Sequence, residues 1–334
     1  MTNRAVLAEA LIARTPWAKA SRAPLAGDAS NRRYERLTDP DTGRTAVLMD
    51  APPDKGEDVE PFVRVAEYLR SVGLSAPEIL TEDAENGFLL LEDFGDDLLA
   101  RLIERQPEVE RELYEAATDV LVHLHSGPLP SLDSYDPSLM AELSALAFTK
   151  YAQGILGAYD VDAHDRFQHR FADILLQETS GTRVVTLRDY HAENLIWLPK
   201  RDGVRRVGLL DFQSAMLCHP AYDLMSLLQD VRRTVPAAIE MSMVNRYITA
   251  TGVDDHDFRT AYSVLGAQRN LRILGGFARL ATDYGKPHYV DLIPAAWGHL
   301  MRDLEHPALV SVADLVRQAL PSPTPENLAR LRAG

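Results

Sequence analysis

Cysteine is almost absent: Cys218 is the single one in 334 residues. One thiol can form neither an intrachain disulfide nor a cysteine-built metal cluster, so a reducing cytoplasm is the natural compartment. Basic residues are also few, with 35 Lys and Arg against 49 Asp and Glu and a net charge of −14. Binding a nucleic-acid backbone needs clustered Lys and Arg, and none is evident, which excludes nucleic acid as the main partner. No run approaches the ~20 apolar residues of a membrane span. The opening stretch MTNRAVLAEALIARTPWAKA is no signal peptide, since Glu9 and Arg14 interrupt it. Val6, Leu7, Ala10 and Leu11 predict a short amphipathic helix there. Internal repeats and low-complexity segments are missing too.

What is present is the composition of a globular chain, 46% hydrophobic and 25% charged, long enough for about two domains or lobes. Residues 20–95 are β-rich. PLAGDASNRRYERLT predicts a strand, a glycine-containing turn and a second strand, and RTAVLMDA a third. EPFVRVAEYLRSV puts Phe62, Ala66 and Leu69 on one helical face and stops at Gly73. EIL and GFLLLEDF complete a sheet around the polar turn TEDAEN. Beyond Asp96 the pattern turns helical. VERELYEAATDVLVHLH is one helix, and residues 136–178 hold two more. RVVTL, NLIWLP and RVGLLDF are short strands, the last two joined by KRDG. AYDLMSLLQDVRR then puts Leu224, Leu227, Leu228 and Val231 on one stripe. Helices follow, and LPSPTPENLARLRAG is expected to be a loose tail. The expectation is an α+β, bilobal architecture: a small β-rich N-terminal lobe (residues 1–93), a crossing near residues 92–96, and a large, mostly helical C-terminal lobe (94–334).

The chemistry concentrates in LRDYHAENLIWL, residues 187–198. Asp189 and Asn194 are five apart, and a second acid, Asp211, closes the apolar run VGLLDF. Phosphoryl transfer from ATP needs an acceptor-orienting base, oxygen ligands for Mg²⁺ and a cover over the phosphates. Asp189 can accept a hydroxyl proton. Asn194 and Asp211 offer the hard oxygens that suit Mg²⁺. GDASNRRY supplies Gly27, Asp28, Ala29 and Ser30 for a tight turn over phosphates, with Arg32 and Arg33 beside it. Each signal alone also fits something plainer: a capped turn, a strand end, a hairpin. His191 fits a structural or solvated histidine, and Cys218 a packing residue. The order of the signals along the chain is what points to a kinase.

That order resembles the aminoglycoside phosphotransferase-like kinases, relatives of the protein-kinase fold. The resemblance implies a bilobal protein-kinase-like structure, ATP and Mg²⁺ as cofactors, Asp189 as catalytic base, and Asn194 and Asp211 as metal ligands. It implies that Glu92, Asp93 and Phe94, in LLLEDF, read adenine through their backbone, and that Asp223, in HPAYDL, braces the catalytic loop. A narrower set covers most of the chain: GDASNRRYERL, VLMDAPP, LRDYHAENLIWL, LLDFQSA, HPAYDLMSLLQD and LGAQRNLRILGGFARL. This set is similar to the bacterial N-acetylmuramate/N-acetylglucosamine anomeric kinases of cell-wall recycling. Arg188, next to Asp189, is then a candidate partner for a substrate carboxylate, with an internal ion pair as its plainer role.

Three positions depart from the kinase pattern. Leu187 stands where a histidine usually precedes the catalytic Asp. Ser214 stands in LDFQSA where the narrower group would carry an acid. The third strand has Met49 or Asp50, depending on register, in place of the lysine that grips the α/β-phosphates, so Arg32 or Arg33 is the candidate to supply that charge. Besides the amino-sugar kinase, two alternatives stay open: a kinase for an aminoglycoside, choline or another small alcohol, and a catalytically inactive nucleotide-binding protein.

Overall fold

The computed structural model of the chain describes residues 4–25 and 31–333. Along it run α1 (Arg4–Ile12), β1 (Ser21–Leu25), β2 (Arg33–Thr38), β3 (Thr45–Asp50), α2 (Glu60–Ser71), β4 (Ile79–Asp83), β5 (Phe88–Glu92), α3 (Leu99–Arg105) and α4 (Glu110–His125). Next come α5 (Pro137–Leu146), α6 (Gln153–Leu156), α7 (Val161–Thr179) and the short strands β6 (Val184–Thr186), β7 (Leu195–Trp197), β8 (Val207–Leu209) and β9 (Met216–Cys218). The remainder is helical: α8 (Ala221–Leu228), α9 (Ala237–Thr251), α10 (Asp255–Thr282), α11 (Ile293–Asp303), α12 (Val310–Ala319) and α13 (Pro325–Ala333). Two compact units result, Met1–Gly127 with Ala192–Ala215, and Pro128–His191 with Met216–Gly334. The lobes expected at 1–93 and 94–334 are a partition by role, distinct from these units.

In the first unit an antiparallel sheet runs in the order β1-β2-β3-β5-β4. Alternation along β3 and β5 turns Ala46, Leu48, Phe88 and Leu90 to one face, where they pack with Leu37, Ala8, Leu11, Ile12 and Trp17. Helix α1 forms where the sequence predicts it, but on a different stripe. It buries Ala8, Leu11 and Ile12, while Val6 is 56% exposed. A nine-residue helix rich in alanine offers several apolar stripes, and packing on the sheet chooses one. Strand β4 continues through Asp83, so the turn expected over TEDAEN is confined to its end. The polar side chains of β4 are tolerated because it is the sheet's edge strand. Helix α2 buries Phe62, Val65, Ala66 and Leu69.

The same unit contains the β7–β8 hairpin, with Leu195 opposite Leu209 and Trp197 opposite Val207. Ser75 bridges Gly208 and Leu98 bridges Ile196. Gly208 has to be glycine: a Cβ there would lie 2.7 Å from the Phe94 ring.

In the second unit, α10 buries residues on all sides, as a central helix must. Helices α5 and α6 are joined by a π-helical stretch, Ala147–Ala152. Strand β6 pairs with β9, Val184 opposite Cys218; β9 has no counterpart among the expected strands. Helix α8 stops at Leu228 with all eight residues buried, so Val231 lies beyond the stripe expected for it. The C-terminal segment is helix α13, not a loose tail. Its Leu328 and Leu331, three apart, are buried, and Arg330 donates to the Ile155 carbonyl at 3.2 Å. No helix among the described residues is long and apolar enough to cross a membrane.

Candidate active site

The β7–β8 hairpin brings two of the expected residues together. A 3-10 turn, Ala192–Asn194, leads into β7, and Asp211 follows β8 by two residues. The Leu210 amide donates to the Asn194 carbonyl at 3.0 Å, which fixes the ends of the hairpin side by side. Asn194 Nδ2 then lies 3.5 Å from Asp211 Oδ2. The other carboxylate oxygen of Asp211 accepts from Gln213 Nε2 at 2.6 Å. Phe212, fully buried, packs on Phe62 with ring centroids 4.8 Å apart and pins the turn. Asp211 sits at φ +56°, a region that non-glycine residues seldom occupy and that clusters at functional sites.

The pair suits a hard cation. A carboxylate and an amide oxygen, with Asn194 turned over about its last torsion, are ligands that Mg²⁺ accepts. Among the described residues no group of three or more His, Cys, Asp or Glu is arranged to hold a metal. A cation at this pair would therefore take its other ligands from water or phosphate oxygens, which is how Mg²⁺ is usually held.

Asp189 belongs to the second unit, on the loop that follows β6. Asp223, in the first turn of α8 and wholly buried, accepts the Leu187 amide at 2.5 Å and the Arg188 amide at 2.9 Å. Burial pushes its carboxyl up to about 7, against the pull of those two backbone donors toward the charged form. Arg188 sits at φ +70°, and with Asp211 makes up the positive-φ residues other than glycine among those described. Its guanidinium lies 4.7 Å over the Tyr135 ring and 3.5 Å from Met216 Sδ. Asp189 itself is half-buried. His191 is 5% exposed and held neutral, first by burial and then by Arg232 and Arg269. The Cys218 thiol is buried and pushed up to about 12, which makes it an inert packing group.

The side chains at the expected crossing are engaged with neighbours. Glu92 pairs with Arg201, and its amide donates to the Glu78 carbonyl at 2.8 Å. Asp93 takes a two-pronged bond from Arg36 at 2.6 and 3.0 Å and accepts the Gly95 amide at 2.9 Å. Burial pushes Asp93 up, but the Arg36 and Gly95 bonds outweigh it and hold its carboxyl below the usual range. The Phe94 ring carries the Arg201 guanidinium at 5.0 Å.

Gly27, Asp28, Ala29 and Ser30, expected over the phosphates, lie outside the described residues. Just beyond them, Glu57 accepts the Asn31 amide at 3.0 Å and Arg32 Nε at 2.9 Å. Arg33 is exposed and stands opposite Asp50 in the β2–β3 register. The register also separates Met49 from Asp50. Asp50 shares a face with Ala46 and Leu48 and is ion-paired with Arg4 of α1. Met49 points to the other face and is fully buried.

Around Asp189 the second unit carries a buried polar group drawn partly from LGAQRNLRILGGFARL. Arg269, in LGAQRNLRILGGFARL, is 2% exposed, and Arg272 is half-buried one turn on. Burial works against the charge of Arg269 and Tyr222 chiefly favours that of Arg272, with a smaller favourable contribution from Asp189 to both. Asp230, 1% exposed, accepts the Arg232 amide at 2.9 Å. The signal available in the sequence was the polar cluster Gln268, Arg269, Asn270 and Arg272 inside a mostly apolar helical run, where charge is out of place.

The phosphotransferase enzyme family matches residues 21–262. A Caulobacter vibrioides protein named N-acetylmuramate/N-acetylglucosamine kinase is 40% identical, covering 87% of this chain and 90% of that protein. A protein of the same name from Pseudomonas aeruginosa is 33% identical, covering 88% and 87%. Among solved structures, a choline/ethanolamine kinase family protein from Mesorhizobium loti superposes with a TM-score of 0.65 over 99% of this chain and 100% of that one, at 15% identity. That last likeness establishes a kinase-like α+β fold. The family match, spanning most of the chain, establishes more: the protein belongs to the phosphotransferase enzyme family.

Proposed function

We propose that the protein transfers the γ-phosphoryl group of ATP to the anomeric hydroxyl of N-acetylmuramate or N-acetylglucosamine, in a reducing cytoplasm. The observation that carries this is the 40% identity, over most of both chains, to a kinase named for those two sugars. In this mechanism Asp189 accepts the proton of the acceptor hydroxyl as it attacks. Asn194 and Asp211 hold Mg²⁺, which neutralises phosphate charge. Asp223 holds the loop that carries Asp189. The backbone of Glu92, Asp93 and Phe94 reads the adenine, the two carboxylates being committed to arginines. Residues 1–93 serve the nucleotide and residues 94–334 the acceptor, with Arg188 on the acceptor side. The turn at Gly27–Ser30 covers the phosphates, and Arg33 supplies charge that the third strand lacks, because Arg32 is already paired with Glu57.

The acceptor fits the loop chemically. An anomeric hydroxyl is more acidic than an ordinary alcohol, because the ring oxygen withdraws electron density from its carbon. It therefore asks less of a general base on a loop where Leu187 stands in place of histidine. The test is to incubate protein, ATP and Mg²⁺ separately with N-acetylmuramate, N-acetylglucosamine, a 1-O-methyl glycoside, kanamycin and choline, and to locate phosphate by NMR. A sugar 1-phosphate is expected. Transfer to the 1-O-methyl glycoside, or to kanamycin or choline and neither free sugar, would refute the anomeric assignment.

A further inference from the structure

Arg269 poses an electrostatic problem that the protein alone leaves unsolved. Its side chain is buried at 2% exposure, and its Nε and Nη1 have no hydrogen-bond partner. The Nε of Arg272 is likewise without a partner. A guanidinium cannot shed its proton, and burying one unpaired costs several kcal/mol. The Asp230 and Asp189 carboxylates are near enough to favour its charge, but neither bonds to its Nε or Nη1. Asp230 spends Oδ1 on the Arg232 amide, and its Oδ2 bonds to nothing. His191, buried and neutral, takes up no charge.

The flanking residues on α10 bond through their amide nitrogens, while Gln268 Oε1 and Asn270 Oδ1, like the Arg269 atoms, have no partner. Gln268 Nε2 donates to the Tyr135 hydroxyl and the Met140 carbonyl, both at 3.1 Å. Asn270 Nδ2 donates to Gln229 Oε1 at 2.8 Å and to the Gly266 carbonyl at 2.9 Å. Arg269, between them, makes no such bond through Nε or Nη1. Arg272 lies three residues on, along the same side of the helix, so the two guanidinium groups are neighbours. Tyr135 and Tyr222, edge to face at 5.6 Å, connect them to Arg188. Three arginines therefore gather in the unit that carries Asp189.

We propose that Arg269 and Arg272 form an anion subsite on the acceptor side, one that takes a carboxylate borne by the sugar. The inference rests on the amino-sugar kinase assignment above and sharpens it. N-acetylmuramate carries a lactyl carboxylate on O3, two ring carbons from the anomeric centre, and N-acetylglucosamine does not. Guanidinium groups bind a carboxylate through paired N–H donors, and in a desolvated site that pairing is strong. The subsite makes the acidic sugar the better-bound acceptor.

The test starts with the wild-type protein, so that it does not depend on a variant folding. Binding of N-acetylmuramate is compared with that of its lactyl carboxamide, which keeps the shape and loses the charge. The carboxamide is expected to bind at least about tenfold more weakly, a difference of about 1.4 kcal/mol. Equal binding would overturn the subsite. In Arg269→Gln and Arg272→Gln, KM for N-acetylmuramate is expected to rise about tenfold more than the KM for N-acetylglucosamine. Equal losses on both sugars, or a charge preference that survives in Arg269→Gln, would overturn the assignment and leave Arg269 a structural residue. Arg269→Lys should recover part of the preference. A wild-type protein that phosphorylates neither sugar would instead refute the kinase assignment, and this inference with it.

Discussion

The Asp223 carboxylate lies 2.9 Å from the Arg188 amide, although 35 residues separate them in sequence. Arg188 is held at φ +70°, and the residue that follows it is Asp189. The helix α8 carboxylate thus stabilises a backbone conformation that the loop would not adopt alone. Both units show the same device, since Asp211 is also held at positive φ by its own hairpin. Strain of this type persists only where the surroundings over-determine it.

Replacing Asp223 should therefore act on the loop before anything else. Asp223→Asn keeps one acceptor oxygen but turns an amide N–H₂ toward one of the two backbone donors. A loss of about 1–3 kcal/mol is expected, measured by denaturant unfolding, together with a fall in kcat that exceeds any change in the KM for ATP. An Asp223→Asn protein with unaltered stability and turnover would remove Asp223 from its bracing role.

Asp189 and Asp211 should fail in different ways. Asp189→Asn is expected to lose most turnover while Mg-ATP affinity stays nearly intact, because the base acts on the acceptor hydroxyl. Asp211→Asn should weaken metal-dependent nucleotide binding as well. Titration of each variant with ATP, with and without Mg²⁺, distinguishes the two. Equal loss of ATP affinity in both would contradict the assigned roles.

The β3 register makes a separable prediction. Asp50 faces α1 and pairs with Arg4, so Asp50→Ala should cost stability, about 1 kcal/mol, and leave the KM for ATP within about twofold. Arg33→Ala should raise that KM several-fold, since Arg33 is exposed and Arg32 is tied to Glu57. An unchanged KM in Arg33→Ala would mean that backbone amides and the metal alone hold the phosphates.

Asp303 predicts a pH dependence of stability. Its side chain is 4% exposed, and burial, chiefly, pushes its carboxyl up to about 8 despite Arg302 and the bond from Gln229 Nε2 at 3.0 Å. The folded state therefore holds a proton that the unfolded chain releases near pH 4. That contribution is complete below about pH 4 and is lost progressively as pH rises toward 8. Asp303→Asn keeps the neutral form at every pH and removes that slope. Its stability should decline less than that of wild type between pH 5 and 8, measured by urea unfolding at each pH. Parallel curves for the two proteins would refute the assignment.

Much of this protein was legible in its residues alone. The sheet strands, α2, α4 and the loop from Leu187 to Asn194 follow from apolar periodicity and turn chemistry, which act over a few residues and so can be read locally. The order of Asp189, Asn194 and Asp211 named the chemistry before any geometry was known. Other features needed the whole fold. The α1 stripe centred on Ala8 and Leu11, and the burial of Leu328 and Leu331 in α13, depend on what each short helix meets, since local pattern leaves several faces open. Whether Met49 or Asp50 points toward α1 depended on the β2–β3 register, because a slip of one residue reverses every side chain. The Asn194–Asp211 approach required the β7–β8 hairpin to close. The buried Arg269 and Asp230, which favour each other's charge, come from separate stretches of chain. A charge in a sequence is read as exposed until tertiary packing surrounds it, so only the folded protein could show that Arg269 is buried with Nε and Nη1 unbonded.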